Sequence, residues 1–533
     1  MAIRTALRRN IEAQGIDLDL TLEILENYNA GKYDHVTPVE VQELPEIDGH
    51  TVLDMTGAIE LEVPLTQSQA RIDEFEPAIG RRPDLTRLGT PSPDRSRVAF
   101  NRTQLRDLGL QLLPTVSYGV LNGGSATSYA DRKKNSGFSP ELFELLQPEF
   151  EPLAEQVRGK AKGITPAFVN PDGTPGPSFL ELKMRALLIQ ALEFRQRYGT
   201  ASSPAPNAPM FQMTSVYNTD ELDATYREYA ETSGLLSELI KETGISVTQP
   251  LTGVQPLLAA FTHSEHGRPK QIFSEAFGEA DAPLAIPGGH GQNFHVLKEI
   301  YRELYRAGKR FVYLGNVDNL GFTVDPVSVA YLALTGKQAG FDFAFRTPVD
   351  VKGGILVIDQ RGRYNCADIG PAISKDEVLK AEESGTPILF NCATGLFDLR
   401  YLAENIEEIA ANLPMRISDQ DKDAGRYSQA EQVTWEIIGV LDDFLVFGID
   451  KYERFLAAKL LIETLMTSGI KLDDPGYPTD DDPARDLHGT ASKLHDGLRR
   501  LLDERYGMRL ENGRWRPLSV AELRASLRQG ETT

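Results

Sequence analysis

The chain of 533 residues is 41% hydrophobic with a mean hydropathy of −0.30, enough apolar content to bury a large core divided over roughly two to four domains. Asp and Glu number 77 against 56 Lys and Arg, a formal charge of −21, and an acidic protein repels phosphate backbones at long range, which argues against general binding to nucleic acid. Two cysteines, Cys366 and Cys392, exclude a zinc cluster and a disulfide framework, while the start "MAIRTALRRNIEAQG" lacks the apolar core of a signal peptide and no stretch reaches the roughly 20 apolar residues of a membrane span, so the cytoplasm is the expected compartment.

Residues 1–107 read as a helical and loop-rich leader. "TLEILENYNAG" has helical spacing with Gly31 as a stop, and "GRRPDLTRLGTPSPDRSR" reads as an exposed connection. From residue 108 to about 425 short apolar, β-branched runs alternate with longer helical segments. "TVSYGVL", "MFQMTSV", "ISVTQ", "RFVYLGNV", "FDFAFRT", "GILVID" and "PILFNC" are expected strands, with helices such as "FLELKMRALLIQALEFRQRYG" between them. This alternation predicts an α/β sheet covered by helices. Residues 426–533 read as helical, interrupted by the acidic break "KLDDPGYPTDDDPARD", a solvated turn.

Ligands of open α/β sheets sit at the carboxyl ends of the strands, and the strand ends here carry the chemistry. Gly123-Gly124 closes an apolar run, where glycine permits positive φ and lets backbone N–H groups approach a phosphate or a base edge. It is neither G-x-G-x-x-G nor a Walker loop, and alone a simple turn explains it as well. "GKAKGITPAF" holds Lys162 on a short loop, a compact charge suited to a triphosphate; solvated lysines are the plainer reading of K-x-K. "IPGGHGQNFHVL" sets His290 in a glycine turn before a helix, where an imidazole donates to a phosphate or a sugar. "GNVDNLGFTVDP" ends a strand on Asp318, with Asp325 following. An aspartate there holds a Mg²⁺ ion that bridges phosphates, or else caps an Asx turn. "VDVKGG", with Lys352, reads as a hairpin, and "ERFLAAKLL" as an apolar helix on which Lys459 either reaches solvent or points at an anion.

In order along residues 110–465, these stretches resemble the UTP–glucose-1-phosphate uridylyltransferases. "VLNGG" is similar to that family's nucleotide loop, "MTSVYNTDEL" to Met-Asn-Ser-Phe-Asn-Thr-Asp-Glu, "IPGGHG" to Pro-Pro-Gly-His-Gly and "GNVDNLGFTVD" to Ser-Asn-Ile-Asp-Asn-Leu-Gly-Ala-Thr-Val-Asp. "VDVKGG" resembles Ala-Asp-Val-Lys-Gly-Gly, "FNCATGLFDL" loosely resembles Phe-Asn-Thr-Asn-Asn-Leu-Trp, and "RFLAAK" resembles Arg-Phe-Leu-Pro-Val-Lys. The resemblance implies a Rossmann-like, GT-A-like mixed-sheet nucleotidyltransferase core at 108–425, between a helical leader and a helical C-terminal region. That region lacks the short apolar repeats of the β-helix that ends eukaryotic members.

It further implies Mg²⁺-dependent transfer of UMP from UTP to a sugar 1-phosphate, with glucose 1-phosphate the first choice, giving UDP-glucose and pyrophosphate. A broader UDP-sugar or UDP-N-acetylhexosamine pyrophosphorylase and a silent nucleotide-sugar-binding protein are the alternatives. Carried over by position, Leu121, Asn122, Gly123 and Gly124 line the uridine and triphosphate. Lys162 is the lysine after the loop, Gly289 and His290 contact uridine and sugar phosphate, and Asp318 binds Mg²⁺ with Asn316 and Val317 beside it. Asn391 faces the sugar and Lys459 reaches the phosphates from across the cleft. Gln249, ending "ISVTQ", is the glutamine expected to read uracil, with Gln255 its rival. The family's lysine follows its loop within about a dozen residues; here residues 130–157 read as an insertion, which leaves Lys133 and Lys134 as rivals to Lys162. Oligomeric state is not legible.

Overall fold

The computed structural model describes residues 3–199, 210–347, 350, 353–482 and 485–529, and the apolar runs of the sequence become strands of one mixed sheet. Eight of them form its spine: β1 (Val52–Asp54), β2 (Val116–Leu121), β3 (Met210–Ser215), β4 (Leu251–Gln255), β5 (Phe311–Asn316), β6 (Ala339–Phe345), β7 (Leu389–Asp398) and β8 (Phe444–Ile449), in the spatial order β1-β8-β6-β7-β5-β2-β3-β4. Only β7 runs against its neighbours, β5 and β6; every other neighbouring pair is parallel. A hairpin of Gly354–Asp359 and Tyr364–Asp368, joined by Val41–Glu43, extends the sheet from β7. Parallel strands covered on both faces need unbroken apolar runs, and all six residues of β2, β3 and β8 are buried.

Four helices matter for the site: α1 (Pro140–Val157), α2 (Phe179–Tyr198), α3 (Pro326–Thr335) and α4 (Leu487–Glu504). α2 begins with a reciprocal capping box between Ser178 and Glu181, which satisfies two otherwise unpaired amides. α3 is capped by Asp325, whose carboxylate accepts from the Val327 and Ser328 amides, and all but one of its ten residues are buried. No helix among the described residues is long and apolar enough to cross a membrane.

Three expectations change. "DFLVFGID", read as part of a C-terminal helix, contains β8 in the middle of the sheet, so the core expected to close at residue 425 takes a strand from beyond it. A six-residue apolar run is shared by buried helices and buried strands, and periodicity cannot separate them. The leader likewise supplies β1 and a small sheet of Glu60–Pro64, Thr90–Pro91 and Arg97–Asn101 besides its helices. And "ISVTQ" is not a strand; β4 starts at Leu251. The far C-terminus is α4, a hairpin of Met508–Glu511 with Arg514–Pro517, and the helix Val520–Gln529.

This C-terminal segment is clasped by one buried cation. Arg185 on α2 is 2% exposed. Its guanidinium donates to the carbonyls of Tyr506, Gly507, Leu518 and Leu235 at 2.6–3.0 Å. Arg185→Ala removes a donor from four carbonyls, of which Gly507 O keeps the Leu518 amide, and opens a cavity, and is expected to cost about 3 kcal/mol or more of unfolding free energy in urea melts. A cost under about 1 kcal/mol would show the clasp to be incidental.

Candidate functional site

Because all strands but β7 share one direction, the carboxyl ends of β2, β3, β4 and β5 lie along one edge. Asn316 pairs with Leu121, Leu121 with Met213, and Ser215 with Gln255. The glycine loop leaves β2 there. Asn122 is fully buried: its amide donates to Met213 O at 2.8 Å and its Nδ2 to Gln212 Oε1 at 3.2 Å. Its Oδ1 faces Gly163, where a Cβ would stand 2.5 Å away. Asn122, expected to line the nucleotide, is therefore packed behind the loop, its carbonyl accepting Asn218 Nδ2 at 3.0 Å. The glycines also differ from expectation, because neither takes positive φ. A Cβ at Gly123 would lie 3.5–3.6 Å from Thr214, Ser215 and Gln255 Oε1, and one at Gly124 would meet nothing within 4 Å. What the pair provides is uncovered backbone at the cleft.

From this loop the chain makes an excursion and returns. Ser125 bridges Ala161, Ala126 N donates to Lys160 O at 2.8 Å, and Lys162 N donates to Gly124 O at 3.0 Å. The short ladder closes the base of residues 127–159, which carry α1, and delivers Lys162 back to the glycine loop. Lys162 Nζ donates to Ala458 O at 2.8 Å, sits 3.3 Å from the Tyr129 ring centroid and 4.0 Å from Asp318 Oδ2. Burial pushes its amine down to about 8, opposed by Asp318 and Glu463. Lys133 and Lys134 instead lie exposed on the helix Arg132–Ser136, with Lys134 Nζ donating to Ser128 Oγ at 2.8 Å.

Asp318 follows β5 in a turn and is half-buried. Among the described residues its carboxylate accepts no hydrogen bond, and its nearest cation is Lys162. The turn behind it is pinned. Lys183, 1% exposed on α2, donates to the carbonyls of Asn319 and Phe322. Tyr118 Oη also donates to Phe322 O and Tyr506 Oη to Leu320 O, and Asn319 Oδ1 accepts from Gly321 N and Leu456 N. Val317, expected beside the substrate, has its side chain in the core, so only its backbone is available. Asn316 is half-buried at the strand end. Asp325 is occupied as the cap of α3. No group of three or more His, Cys, Asp or Glu among the described residues could hold a metal by itself. A lone carboxylate with open lone pairs suits Mg²⁺, which takes one or two carboxylates and completes its shell with water and substrate phosphates; it does not suit zinc.

Gln255 ends β4 beside Gly123, and its Nε2 donates to Gly289 O at 2.6 Å and Gln292 Oε1 at 3.1 Å. Gln249 is exposed and precedes the amino end of β4, away from the cleft. The choice of Gln249 is thereby corrected in position. Gly289 takes φ +83°, and a Cβ there would stand 2.4 Å from Gln432 O, so this turn needs glycine for both reasons. His290 Nδ1 accepts the Thr434 amide at 3.2 Å, which leaves the ring proton on Nε2. Burial, then Arg416, drives its pKa down to about 4, so the ring is a neutral donor near pH 7.

Lys459 is not helical. The helices on either side end at Arg454 and begin at Leu461, and exposed Lys459 lies in the link, next to the carbonyl that holds Lys162. Its amide donates to Glu463 Oε2 at 2.7 Å. Asn391, half-buried on β7, donates to Cys366 Sγ at 3.3 Å. Lys352 lies outside the described residues.

A charged cluster beside Asn391 had no signal in the sequence. Arg416 donates to Asp368 Oδ2 at 2.7 Å and to Glu436 Oε1 at 2.9 Å. A Cβ at Gly354 would stand 3.7 Å from Asp368 Oδ1 and 3.8 Å from Asn391 Cβ, which ties the cluster to Asn391. Glu431 packs on Gly289. Burial outweighs Arg416 and holds the Glu436 carboxyl up at about 7.

Residues 270–470 match the family model described as UTP–glucose-1-phosphate uridylyltransferase. The UTP–glucose-1-phosphate uridylyltransferase of Musa acuminata is 22% identical over 340 residues, which are 61% of this chain and 64% of that protein. The Saccharomyces cerevisiae enzyme of the same name is 30% identical over 149 residues, 27% of this chain and 29% of that protein. The chain thus spans less than two thirds of the length of these curated relatives. The uridine diphosphate N-acetylglucosamine pyrophosphorylase of Trypanosoma brucei superposes with a TM-score of 0.57 at 15% identity, over 94% of this chain and 92% of that one, a likeness of fold.

Proposed function

We propose, from the match of residues 270–470 to the UTP–glucose-1-phosphate uridylyltransferase family model, that the chain transfers UMP from UTP to a sugar 1-phosphate, glucose 1-phosphate first, and releases pyrophosphate. The observation that carries this reading is the meeting of Lys162 and Asp318, from segments 156 residues apart, 4.0 Å from each other at the edge where the glycine loop leaves β2.

In the proposed reaction an oxygen of the sugar phosphate attacks the α-phosphorus of UTP, and the bond to pyrophosphate breaks. No side chain has to become covalent. The demand is alignment of two anions and neutralisation of the charge that spreads over the phosphoryl oxygens. Uncovered backbone at Gly123 and Gly124 meets the nucleotide, and Gln255, whose Oε1 faces Gly123, reads the uracil. Lys162, held by Ala458 O and the Tyr129 ring, places one positive charge at the phosphates, and Lys459 adds a second from the adjoining link. His290 Nε2–H donates to the sugar phosphate. Mg²⁺ on Asp318 would supply a further divalent charge at the reacting phosphorus. Asn391, with Asp368, Arg416 and Glu431 next to it, offers hydrogen-bonding groups to sugar hydroxyls.

Pyrophosphate release from UTP and glucose 1-phosphate, measured with and without Mg²⁺, tests this. Metal-dependent release is expected, faster than with galactose 1-phosphate or N-acetylglucosamine 1-phosphate. Preference for either of those would reassign the sugar, and folded protein that releases nothing with any sugar phosphate would end the nucleotidyltransferase reading.

A further inference from the structure

Two large apolar side chains stand exposed directly after β3, at the edge where the glycine loop emerges. Val216 is 47% and Tyr217 71% exposed. Tyr217 makes no hydrogen bond, ion pair or ring contact with the described residues. A single exposed aromatic needs no explanation by itself, so its placement decides. Residues 215–218 form a tight turn, closed by Asn218 N donating to Ser215 O at 3.1 Å and by Ser215 N donating to Asn218 Oδ1 at 2.9 Å. The same Asn218 reaches across to the glycine loop, its Nδ2 donating to Asn122 O at 3.0 Å. The turn that carries Tyr217 is therefore stapled to Asn122, one residue from Gly123. Ser215, where the turn begins, is the register partner of Gln255.

Hydrogen-bonding groups for the edge of a base are thus present at Gly123 and Gln255, but an edge reader leaves the two faces of a base in water. An aromatic ring with no partner among the described residues, on a turn fixed to the same loop, supplies a face. Resting on the nucleotidyltransferase reading above, we propose that Tyr217 stacks on the uracil of UTP and is a base-recognition residue of the site.

Calorimetric titration of the full chain in Mg²⁺ tests this with two probes, UTP and inorganic tripolyphosphate, which has the phosphates and no base. Tyr217→Ala is expected to weaken UTP about tenfold, as loss of a base–aromatic stack does, and to leave tripolyphosphate unchanged, while Tyr217→Phe stays within about twofold of wild type for both. Exposure of the side chain keeps the fold out of the comparison. UTP affinity unchanged in Tyr217→Ala would overturn the inference alone, as would an equal loss for UTP and tripolyphosphate, which would show the tyrosine acting on the loop or the phosphates. Wild-type protein that binds no UTP would remove the parent reading and this one with it.

Discussion

Asp318→Ala is expected to lower turnover by roughly 10³-fold or more at any Mg²⁺ concentration, with the fold intact. A charge that neutralises a reacting phosphoryl group is worth several kcal/mol, whereas the same side chain contributes little to stability. It is half-buried and accepts no hydrogen bond from the described residues; Lys162 lies 4.0 Å away and Lys183 feels it at longer range, so urea melts should shift by about 1 kcal/mol. Asp318→Glu separates the two duties this carboxylate has in the proposed site. If it holds metal, the longer side chain raises the Mg²⁺ concentration for half-maximal rate and retains part of the maximal rate. If it serves only as a partner for Lys162, both variants leave Mg²⁺ dependence untouched. An Asp318→Ala protein with more than a tenth of wild-type turnover would remove the metal assignment.

The pinned turn explains how one aspartate could be sufficient. A lone ligand has no second carboxylate to correct its position, so its backbone must do so. Lys183, Tyr118 and Tyr506 together hold the carbonyls of Asn319, Leu320 and Phe322. Tyr506 comes from the segment clasped by Arg185, so its hydroxyl ties that segment to the turn of Asp318.

The strand that leads to Asp318 was legible as an unbroken apolar run ending on Asn and Asp, a pattern that needs no tertiary information, whereas the choice of a metal-holding role for Asp318 came from the resemblance. Lys162 was preferred to Lys133 and Lys134 through the family's order of lysine, turn and "FLEL"; the ladder between residues 124–126 and 160–162 shows why the intervening excursion leaves it at the loop. Gln255 was ranked behind Gln249 for a local reason. The sequence "ISVTQ" alternates like a strand, while the real strand "LTGVQ" contains Gly253, which weakens the pattern. Gly253 is there because Leu297 and Val296 press on it, within 2.6 and 2.7 Å of where a Cβ would be, and a long-range contact of that kind leaves no periodic trace. The same holds for Asp368, Arg416 and Glu436, which meet from a strand of the added hairpin, a strand of a separate sheet and a short helical turn. β8 was misread as helix because six apolar residues between aspartates satisfy either period.

Lys162→Met is the variant in which activity and stability should move in opposite directions. The ammonium is buried, and burial alone costs a charge several kcal/mol unless its partners compensate. Asp318 and Glu463 compensate only in part, which is why burial brings its pKa down to about 8. An unfolded lysine titrates near 10.4. Between about pH 8 and 10 the unfolded chain therefore binds more protons at this position than the folded one, and wild-type stability gains with rising pH across that window through this group. Methionine fills nearly the same volume without the charge. Lys162→Met should be at least as stable as wild type at pH 7, and its advantage should shrink as pH approaches 10, read as the difference between the two proteins in paired urea melts. Turnover should move the other way, with kcat/KM down by roughly 10²–10³-fold because a charge is missing at the triphosphate. Wild-type kcat/KM should itself decline above about pH 8 as free-enzyme Lys162 deprotonates, while kcat persists to higher pH, since bound phosphates favour the charged amine. Lys134→Ala, altering an exposed side chain bonded only to Ser128, should leave all of these unchanged. A larger loss in Lys134→Ala than in Lys162→Met would move the functional lysine onto the excursion.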